Sequence, residues 1–356
     1  LMVPSFINFA SKSFTIFVTA ILSLHYNTDS LAFCSFFGYT ATMSEATPIP
    51  PANADDSDQP PVGSKTAIVT IIGRPSAGKS TFLNTASGET ISIVSPLPQT
   101  TRNAIKGIVN TSLGQLVFVD TPGYHNSEKK MNLRLRTLTA DQIESADAVL
   151  YVVDTTRPCG EEERLITAML LPHAAKLVVA LNKADDAHAK PAAARAFVKT
   201  ELPSLDDARI IDMSAKEDKG IDDVLRALYA LAPEAPHLYP EEYYTDQEVD
   251  FRMAEIIREQ AINRLEQEIP HALYVSIADM EMKKPNLMWV RAFICVERES
   301  QKGIVIGKGA SMIKTIKIES IKAMRKIFPY RVDLDLQVRV DKNWRQKDHT
   351  LTKLIR

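Results

Sequence analysis

A glycine-rich stretch, IIGRPSAGKSTFLN, has the residue types and spacing that bind the phosphates of a nucleotide. It covers residues 71–84 and carries Gly73, four further residues, and then Gly78, Lys79 and Ser80. Glycines at these positions let backbone N–H groups wrap around phosphate oxygens, the lysine neutralises their charge, and the serine hydroxyl can ligate Mg²⁺. The residues predicted to bind the phosphates are Gly73, Ser76, Gly78, Lys79, Ser80 and Thr81.

A second motif, ALNKADD, follows an apolar run and indicates which base the site takes. Asp185 at the end of Asn182-Lys183-x-Asp185 can accept hydrogen bonds from guanine N1–H and N2–H₂, which adenine does not offer. MSAKE follows the last apolar run, and its Ala215 N–H is expected to donate to guanine O6. We therefore predict GTP and GDP as ligands. The predicted base-binding residues are Asn182, Lys183, Asp185, Ser214, Ala215 and Lys216.

The segment DTPGYH, residues 120–125, predicts a site that senses the terminal phosphate. Asp120 would hold Mg²⁺ through water, and the Gly123 N–H would contact the γ-phosphate. The preceding loop must carry a threonine to the metal, and Thr101 is expected there, with Thr100 as its competitor. Tyr124 takes the place of the water-orienting Gln of Ras-type switches, so slow intrinsic turnover is expected. The predicted metal ligands are Ser80, Thr101 and Asp120, and the predicted catalytic residues are Lys79, Thr101 and Gly123.

The C-terminal part of the chain is basic, although the 356 residues together carry a net charge of only -2. Residues 283–347 contain 16 Lys and Arg against 6 Asp and Glu. Within them, IGKGASMIKTI predicts a loop that opens a helix, which would place RNA phosphates at the helix N-terminus. The residues expected to contact RNA are Lys302, Gly307, Lys308, Gly309, Ala310, Lys314 and Lys317, together with Trp344 stacking on a base.

The order of apolar runs predicts two domains. Over residues 65–235, short β-branched runs alternate with helical stretches, which is typical of an α/β domain with a mixed, mostly parallel sheet and helices on both faces. A proline-rich linker is expected at residues 236–247. An α+β domain is expected at residues 248–353, with a long helix over Glu248–Glu268, a hairpin, a loop with a helix, and a final strand.

Residues 1–64 differ from the rest of the chain. An apolar run over Ser13–Leu24 resembles the apolar region of a signal peptide and is too short to span a bilayer. A segment rich in Pro, Asp and Ser follows and is typical of a disordered linker. We expect an organelle presequence, with the plastid stroma favoured and the mitochondrial matrix as the alternative. The other interpretation is that Met43 is the true start.

Taken together, the motifs GRPSAGKSTFLN, QTTR, DTPGYH, NKAD, SAK, YPEEYYTD and IGKGASMIKTI resemble those of the Era family, the ribosome-assembly GTPases of bacteria and organelles. The resemblance covers residues 64–353. It implies a P-loop GTPase domain followed by a type II KH domain, and a monomer whose partners are small-subunit ribosomal RNA and the pre-small ribosomal subunit. Two alternatives remain open: an RNA-binding assembly factor with a vestigial GTPase, and a GTPase in peripheral contact with a membrane.

Two positions depart from the family pattern. Ser76 and Ala77 stand where the family has Asn-Val, and that Asn is associated with a K⁺ ion that assists hydrolysis in related GTPases. The Ser76 hydroxyl is the group that would replace it. Ala310 replaces the last Gly of the Gly-x-x-Gly loop with which KH domains clamp RNA. Its methyl group lies where the RNA backbone should approach closely, so weaker RNA binding is expected.

Overall fold

A computed structural model describes residues 64–94, 105–121 and 139–354 of the chain. The predicted presequence and the disordered linker that follows it, residues 1–64, therefore lie outside the described residues, except for Ser64. The predicted switch residues Thr100, Thr101, Gly123 and Tyr124 also lie outside them. Within the described ranges, no helix combines the length and the apolar character that a membrane crossing needs.

The N-terminal half of the described chain is built on a six-stranded sheet with the order β2-β3-β1-β4-β5-β6. Only the β2–β3 pair is antiparallel, which confirms the predicted mixed, mostly parallel sheet. The apolar runs of the sequence do not predict the edge strand β2. The strands are β1 (Lys65–Ile72), β2 (Ile105–Thr111), β3 (Gly114–Asp120), β4 (Ala148–Asp154), β5 (Leu177–Asn182) and β6 (Ile210–Asp212).

Helices cover both faces of this sheet, as the alternating pattern predicts. Successive side chains of β4 enter opposite cores: Leu150 packs in one apolar cluster and Tyr151 in the other. The described part of a further helix covers residues 139–145. The complete helices are α1 (Lys79–Ser87), α2 (Glu161–Leu170), α3 (Pro191–Glu201) and α4 (Ile221–Leu231). Helices α1 and α4 lie on the first face, and α2 and α3 lie on the second.

The C-terminal half has a three-stranded sheet in which β7 pairs antiparallel and β9 parallel with the central β8. Its strands are β7 (Tyr274–Lys284), β8 (Leu287–Val296) and β9 (Arg331–Val340). Its helices are α5 (Val249–Ile262), α6 (Ile269–Ala272), α7 (Glu299–Ile306), α8 (Ser311–Ile327) and α9 (Asp348–Leu354). The α+β architecture and the β7–β8 hairpin agree with the prediction.

The long helix predicted over Glu248–Glu268 is wrong at its C-terminal end. Helix α5 ends at Ile262, and Asn263 follows as its cap. Leu265 is buried in the apolar core of this half, and Gln267 adopts φ +57, which a helix does not allow. Burying Leu265 therefore takes precedence over continuing the helix.

The segment between the two halves lies along the outer edge of β2. The Ile108 N–H donates to the Tyr244 carbonyl at 2.9 Å, and the Thr245 hydroxyl donates to the Lys106 carbonyl at 2.8 Å. Lys106 also forms an ion pair with Asp246 at 2.8 Å. This segment therefore supplies partners to backbone groups that an edge strand leaves open.

Candidate functional site

The phosphate loop lies between the end of β1 and the start of α1. Gly78 has φ +98, and a Cβ there would lie 2.1 Å from the Asn182 Nδ2 atom. A Cβ on Gly73 would lie 2.4 Å from the Val152 carbonyl oxygen. Both positions therefore require glycine. Ser76 also has positive φ, at +62, which is unusual for a residue with a side chain.

Lys79 is buried at the centre of this loop. Its ammonium group donates to the carbonyl oxygens of Gly73 at 3.1 Å and of Arg74 at 3.2 Å. Burial lowers the pKa of Lys79, and the nearby Asp120 carboxylate partly opposes this effect. A largely desolvated cation in such a loop is well placed to neutralise phosphate oxygens.

Asp120, the last residue of β3, brings two serine hydroxyls together. Its Oδ2 atom accepts hydrogen bonds from Ser80 Oγ at 2.7 Å and from Ser92 Oγ at 2.8 Å. A hydroxyl beside a carboxylate suits Mg²⁺, a hard cation that prefers oxygen ligands and keeps several waters. The predicted ligands Ser80 and Asp120 are thus adjacent, and Thr101 lies outside the described residues.

Ser92 is a site residue that the sequence did not identify. Asn84, at the end of the GKSTFLN motif, accepts hydrogen bonds from the N–H groups of Ile91 and Ser92, both at 2.9 Å. It also donates to the Ser92 carbonyl at 2.9 Å. This turn carries the Ser92 hydroxyl to Asp120. Asn84 is visible in the GKSTFLN motif, but the motif alone does not show which residues the Asn84 side chain binds.

Asn182 connects the phosphate loop with the base-binding loops. Its Nδ2 donates to the Ala77 carbonyl at 2.8 Å, and its Oδ1 accepts from the Ala215 N–H at 2.9 Å. Asn182 therefore braces the phosphate loop against the base-binding loops. The Ala215 N–H, however, already has an acceptor, so donating to guanine O6 would require it to share that hydrogen bond.

The other predicted base-binding residues surround this brace. Asp185 is exposed, and a hydrogen bond from Ser214 holds the pKa of its carboxyl group below the ordinary value. Lys183 has φ +65 and directs its ammonium group to Asp154 at 2.7 Å. Lys216 is exposed beside Ala215. Among the phosphate-loop residues, Thr81 lies half-buried in the first turn of α1.

The predicted RNA loop joins α7 to α8. Gly307, Gly309 and Ala310 all have positive φ, at +74, +60 and +61. Ala310 is the N-cap of α8, so a residue with a Cβ occupies a left-handed backbone position that favours glycine. Lys308 is exposed at the tip of this turn.

Three further lysines predicted to contact RNA lie on the helices that flank this loop. Lys314 is exposed and Lys317 is half-buried on α8, and Lys302 is half-buried on α7. All three remain accessible to a polyanion. The basic face expected from the sequence is therefore present around the loop.

The prediction that Trp344 stacks on a base is wrong. Its side chain is 0% exposed, and its indole N–H donates to the Ala272 carbonyl at 2.9 Å. The ring meets Tyr274 edge to face, with centroids 5.0 Å apart. Trp344 closes a small apolar cluster with Leu351, so its role is structural.

The phosphate loop, the Mg²⁺ carboxylate and the base-binding loops all lie at one edge of a mostly parallel sheet. That arrangement defines a P-loop protein that binds guanine nucleotides. Comparison with known families agrees: residues 68–183 match the family described as 50S ribosome-binding GTPase, and residues 268–345 match the KH domain.

Curated relatives cover both halves. GTPase Era of Treponema denticola is 57% identical over 288 residues, which span 81% of this chain and 98% of that protein. GTPase Era of Treponema pallidum strain Nichols is 46% identical over 310 residues, spanning 82% of this chain and 97% of that protein. This chain belongs to the Era family of GTPases.

Two solved Era structures have the same fold over the same extent. One is an Aquifex aeolicus Era variant bound to GDP·AlF₄⁻, with a TM-score of 0.77 and 28% identity, covering 82% of this chain and 98% of that one. The other is Era in complex with MgGDPNP and nucleotides 1506–1542 of 16S ribosomal RNA, with a TM-score of 0.76, 28% identity and the same coverage.

Proposed function

We propose that this chain is a GTP-hydrolysing switch that binds small-subunit ribosomal RNA through its KH domain and assists assembly of the small ribosomal subunit. The observation that carries the proposal is a guanine-nucleotide site in the same chain as a glycine-containing loop that opens a basic helix. The relative solved with 16S ribosomal RNA supports the RNA part, because the similarity extends over 98% of that chain.

The RNA would contact the loop between α7 and α8. Backbone N–H groups at the start of α8 favour a phosphate there, because the N-terminus of a helix carries partial positive charge. Lys308 and Lys314 are both exposed beside it. Each lysine that meets a phosphate adds affinity that falls as salt rises, because counterions are released from the RNA.

The nucleotide site would act by positioning and charge. Lys79 would neutralise the outer phosphates, and Ser80 and Asp120 would hold Mg²⁺. The ion, when bound, stabilises the charge that develops on the transferred phosphoryl group. Asn182 keeps the phosphate and base loops in one arrangement. These residues hold GTP in place for attack by water, while Tyr124 offers no amide to orient that water, so slow turnover follows.

Potassium is a further proposed cofactor, in addition to Mg²⁺. Ser76 stands at the position of the Asn that the family associates with K⁺, and its hydroxyl offers one oxygen ligand. We propose that this hydroxyl retains part of the potassium dependence. GTP turnover in KCl compared with NaCl, for the parent chain and for Ser76→Ala, addresses the point directly.

A short segment connects the nucleotide site with the KH half. Ser92 contacts Asp120, while the backbone on either side of Ser92 contacts the last residue of the linker and two residues of α5. Thr90 O accepts from Arg252 at 3.2 Å, Ile91 O accepts from Gln247 at 3.1 Å, and Val94 N–H donates to Glu259 at 3.1 Å. A change at the Mg²⁺ site would therefore reach helix α5 through residues 90–94.

The test is titration of the full chain into the 3′ end of small-subunit ribosomal RNA, with GDP and with a non-hydrolysable GTP analogue. We expect tighter binding with the GTP analogue. The doubly substituted variant Lys308→Ala, Lys314→Ala should bind more weakly, and the slope of log affinity against log salt should fall by about 1 for each lysine.

Lys326→Ala is the matched control, because Lys326 is an exposed lysine in the last turn of the same helix. It should leave affinity nearly unchanged. Equal affinity in both nucleotide states would contradict the switch. Equal effects of the loop variant and the Lys326 control would contradict the RNA site.

A further inference from the structure

A cluster of four charged side chains, three of them buried, lies beside the nucleotide site. Arg74 comes from the phosphate loop, Asp154 ends β4, Glu163 lies in the first turn of α2, and Lys183 belongs to the base-binding loop. Arg74 is 8% exposed, Asp154 1% and Glu163 3%. Two cations and two anions thus balance: the Lys183 side chain is 33% exposed, and the other three lie in a region with little water, where charges are retained only when they are paired.

Asp154 contacts both the base-binding loop and the phosphate loop. Its Oδ2 atom accepts the Lys183 ammonium at 2.7 Å and lies 3.8 Å from the Arg74 guanidinium. Its Oδ1 atom accepts the Thr156 N–H at 3.0 Å and the Thr156 hydroxyl at 2.6 Å. The carboxylate is therefore held in a single orientation by neighbours on both sides.

The second acid of the cluster holds the arginine. Arg74 donates to Glu163 Oε1 at 2.7 Å, and Glu163 Oε2 accepts the Gly160 N–H at 2.8 Å. Arg74 is therefore anchored to the start of α2 and does not depend on Asp154 for its main partner. The shortest contact of Asp154 with a charged group is the one with Lys183.

Thr155, the residue that follows β4, holds the backbone of the base-binding loop. Both the N–H and the hydroxyl of Thr155 donate to the Asn182 carbonyl, at 3.1 and 2.8 Å. Asp154 is also the strand partner of Asn182. The end of β4 thus fixes the Asn182 carbonyl and the Lys183 ammonium group together.

Fixing that ammonium group matters because of what a lysine does in this loop. In the motif Asn-Lys-x-Asp, the lysine side chain can lie along the plane of the base, since it stands two residues before the base-binding Asp185. A free lysine side chain samples many rotamers and must lose them when the base binds. Lys183 loses that freedom in advance, because Asp154 holds its far end. A contact that is ordered before the nucleotide binds strengthens binding without adding a new contact, because less conformational entropy is lost.

The protonation state of Asp154 agrees with this role. Burial by itself would raise the pKa of its carboxyl group. Hydrogen bonds from Lys183 and Thr156 more than offset that effect, so the pKa lies below the ordinary value. Asp154 is therefore ionised at neutral pH and attracts the Lys183 ammonium group as a full charge.

We propose that Asp154 is a positioning residue for guanine-nucleotide binding: it holds Lys183 in the orientation that receives the purine, and so sets how long GDP stays bound. The discrimination between guanine and other purines belongs to Asp185. Removing the Asp154 charge therefore shortens residence for any purine diphosphate by the same factor.

The experiment measures dissociation rates of GDP and of inosine diphosphate from the full chain. Asp154→Asn should speed both dissociations about tenfold, the scale of one released lysine side chain. The ratio of the two rates should not change. Asp185→Asn is the contrasting variant, since it should change that ratio by replacing one of the two acceptors for guanine N1–H and N2–H₂ with an amide donor.

A double-variant cycle separates positioning from general stability. Lys183→Met should speed GDP release, and Asp154→Asn added to Lys183→Met should speed it little further, because Asp154 acts through Lys183. Glu163→Gln changes the other acid of the cluster, so it should lower the thermal midpoint with little effect on GDP release. If the two single effects multiply in the double variant, the proposal is wrong.

Thr156→Val covers the case in which Asp154→Asn does not fold. It removes one hydroxyl that orients Asp154 and keeps every charge of the cluster. GDP and inosine diphosphate should both leave faster from this variant, by a smaller and equal factor. Unchanged release from Thr156→Val, together with unchanged release from a folded Asp154→Asn, would overturn the role of Asp154.

Discussion

Ala310 is the residue whose backbone conformation fits its side chain least well. It lies at φ +61 as the N-cap of α8, and its N–H donates to the Gly307 carbonyl at 3.0 Å. A left-handed conformation brings Cβ too close to the following carbonyl oxygen, at a cost of roughly 1–2 kcal/mol. The turn retains its shape because the helix and the Gly307 contact hold it.

Ala310→Gly should therefore stabilise the protein by about 1 kcal/mol, since glycine adopts this φ without strain. Urea denaturation of the full chain measures the change. The same variant should also bind the ribosomal RNA more tightly, because the methyl group no longer faces the phosphate backbone.

Gly309→Ala is the matched control for that prediction. Gly309 has φ +60, and no atom lies within 4 Å of the Cβ that alanine would add. It should lose about 1 kcal/mol through backbone strain alone. A stability gain from Gly309→Ala, or a loss from Ala310→Gly, would contradict the conformations described for this turn.

At this scale, contacts that follow from local spacing can be predicted from the sequence, and contacts that depend on distant segments cannot. The ammonium group of Lys79 contacts the carbonyl oxygens of Gly73 and Arg74, six and five positions earlier, so a strand and the turn after it set these contacts. Trp344 is buried by contact with Ala272, 72 positions earlier. Nothing near Trp344 in the sequence indicates that contact, so its exposure was predicted wrongly.

The contact between residues 90–94 and helix α5 is the element-scale feature with the clearest pH dependence. Glu259 accepts the Val94 N–H at 3.1 Å. Burial raises the pKa of Glu259, and Glu255 adds to the effect. Because the pKa is raised in the folded state, Glu259 stabilises the folded protein when it is protonated relative to when it is ionised. This stabilisation is fully present below the unfolded-state pKa and is lost as pH rises through the folded-state pKa.

Glu259→Gln should accordingly gain stability relative to the parent chain as pH rises from 5 to 8. The amide oxygen still accepts the Val94 N–H, and the buried charge is gone. Below about pH 4 the difference should vanish, because glutamate is then protonated in the unfolded chain as well. Free energies of unfolding at several pH values test this.

Glu255→Gln is the control on the same helix. Glu255 forms an ion pair with the buried Arg258 at 2.6 Å. Its removal leaves that guanidinium without its carboxylate and should cost about 3 kcal/mol. A stability loss for Glu259→Gln at pH 8 similar to that for Glu255→Gln would show that the Glu259 charge is favourable and would contradict the expected sign.

Element types were more predictable than element ends. The parallel strands have continuous apolar runs, because both of their faces are buried, and such runs are visible in the sequence. The edge strand β2 and the end of α5 were missed. The first depends on pairing with β3, and the second depends on the burial of Leu265. The β2–β3 pair is closed by a tight turn in which Thr111 pairs with Gly114, and that glycine is a local hairpin signal, whereas the burial of Leu265 has none.

At the scale of the whole molecule, the buried residues of the two halves form different apolar clusters, although Tyr244 of the linker and Phe251 of α5 pack against a cluster of the nucleotide-binding half. The clusters of the nucleotide-binding half use residues 67–232, and the main cluster of the KH half uses residues 253–336. Both tryptophans of the chain, Trp289 and Trp344, lie in the KH half. Tryptophan fluorescence therefore reports on one half only.

Two unfolding transitions are expected. GDP at 100 times its dissociation constant should stabilise the nucleotide-binding half by about 2.7 kcal/mol. The transition followed by release of a fluorescent GDP analogue should move accordingly, while the tryptophan transition moves much less. Equal shifts of both transitions would mean that the halves unfold as one unit.

The linker along β2 has a consequence for association between copies of the chain. An edge strand with open backbone groups is a template on which another strand can add. The Tyr244 carbonyl and the Thr245 hydroxyl occupy part of that edge. The segment that leads to the RNA-binding half therefore also keeps the edge of the nucleotide-binding sheet from joining that of another copy, and proteolytic removal of this segment would release a sheet prone to self-assembly.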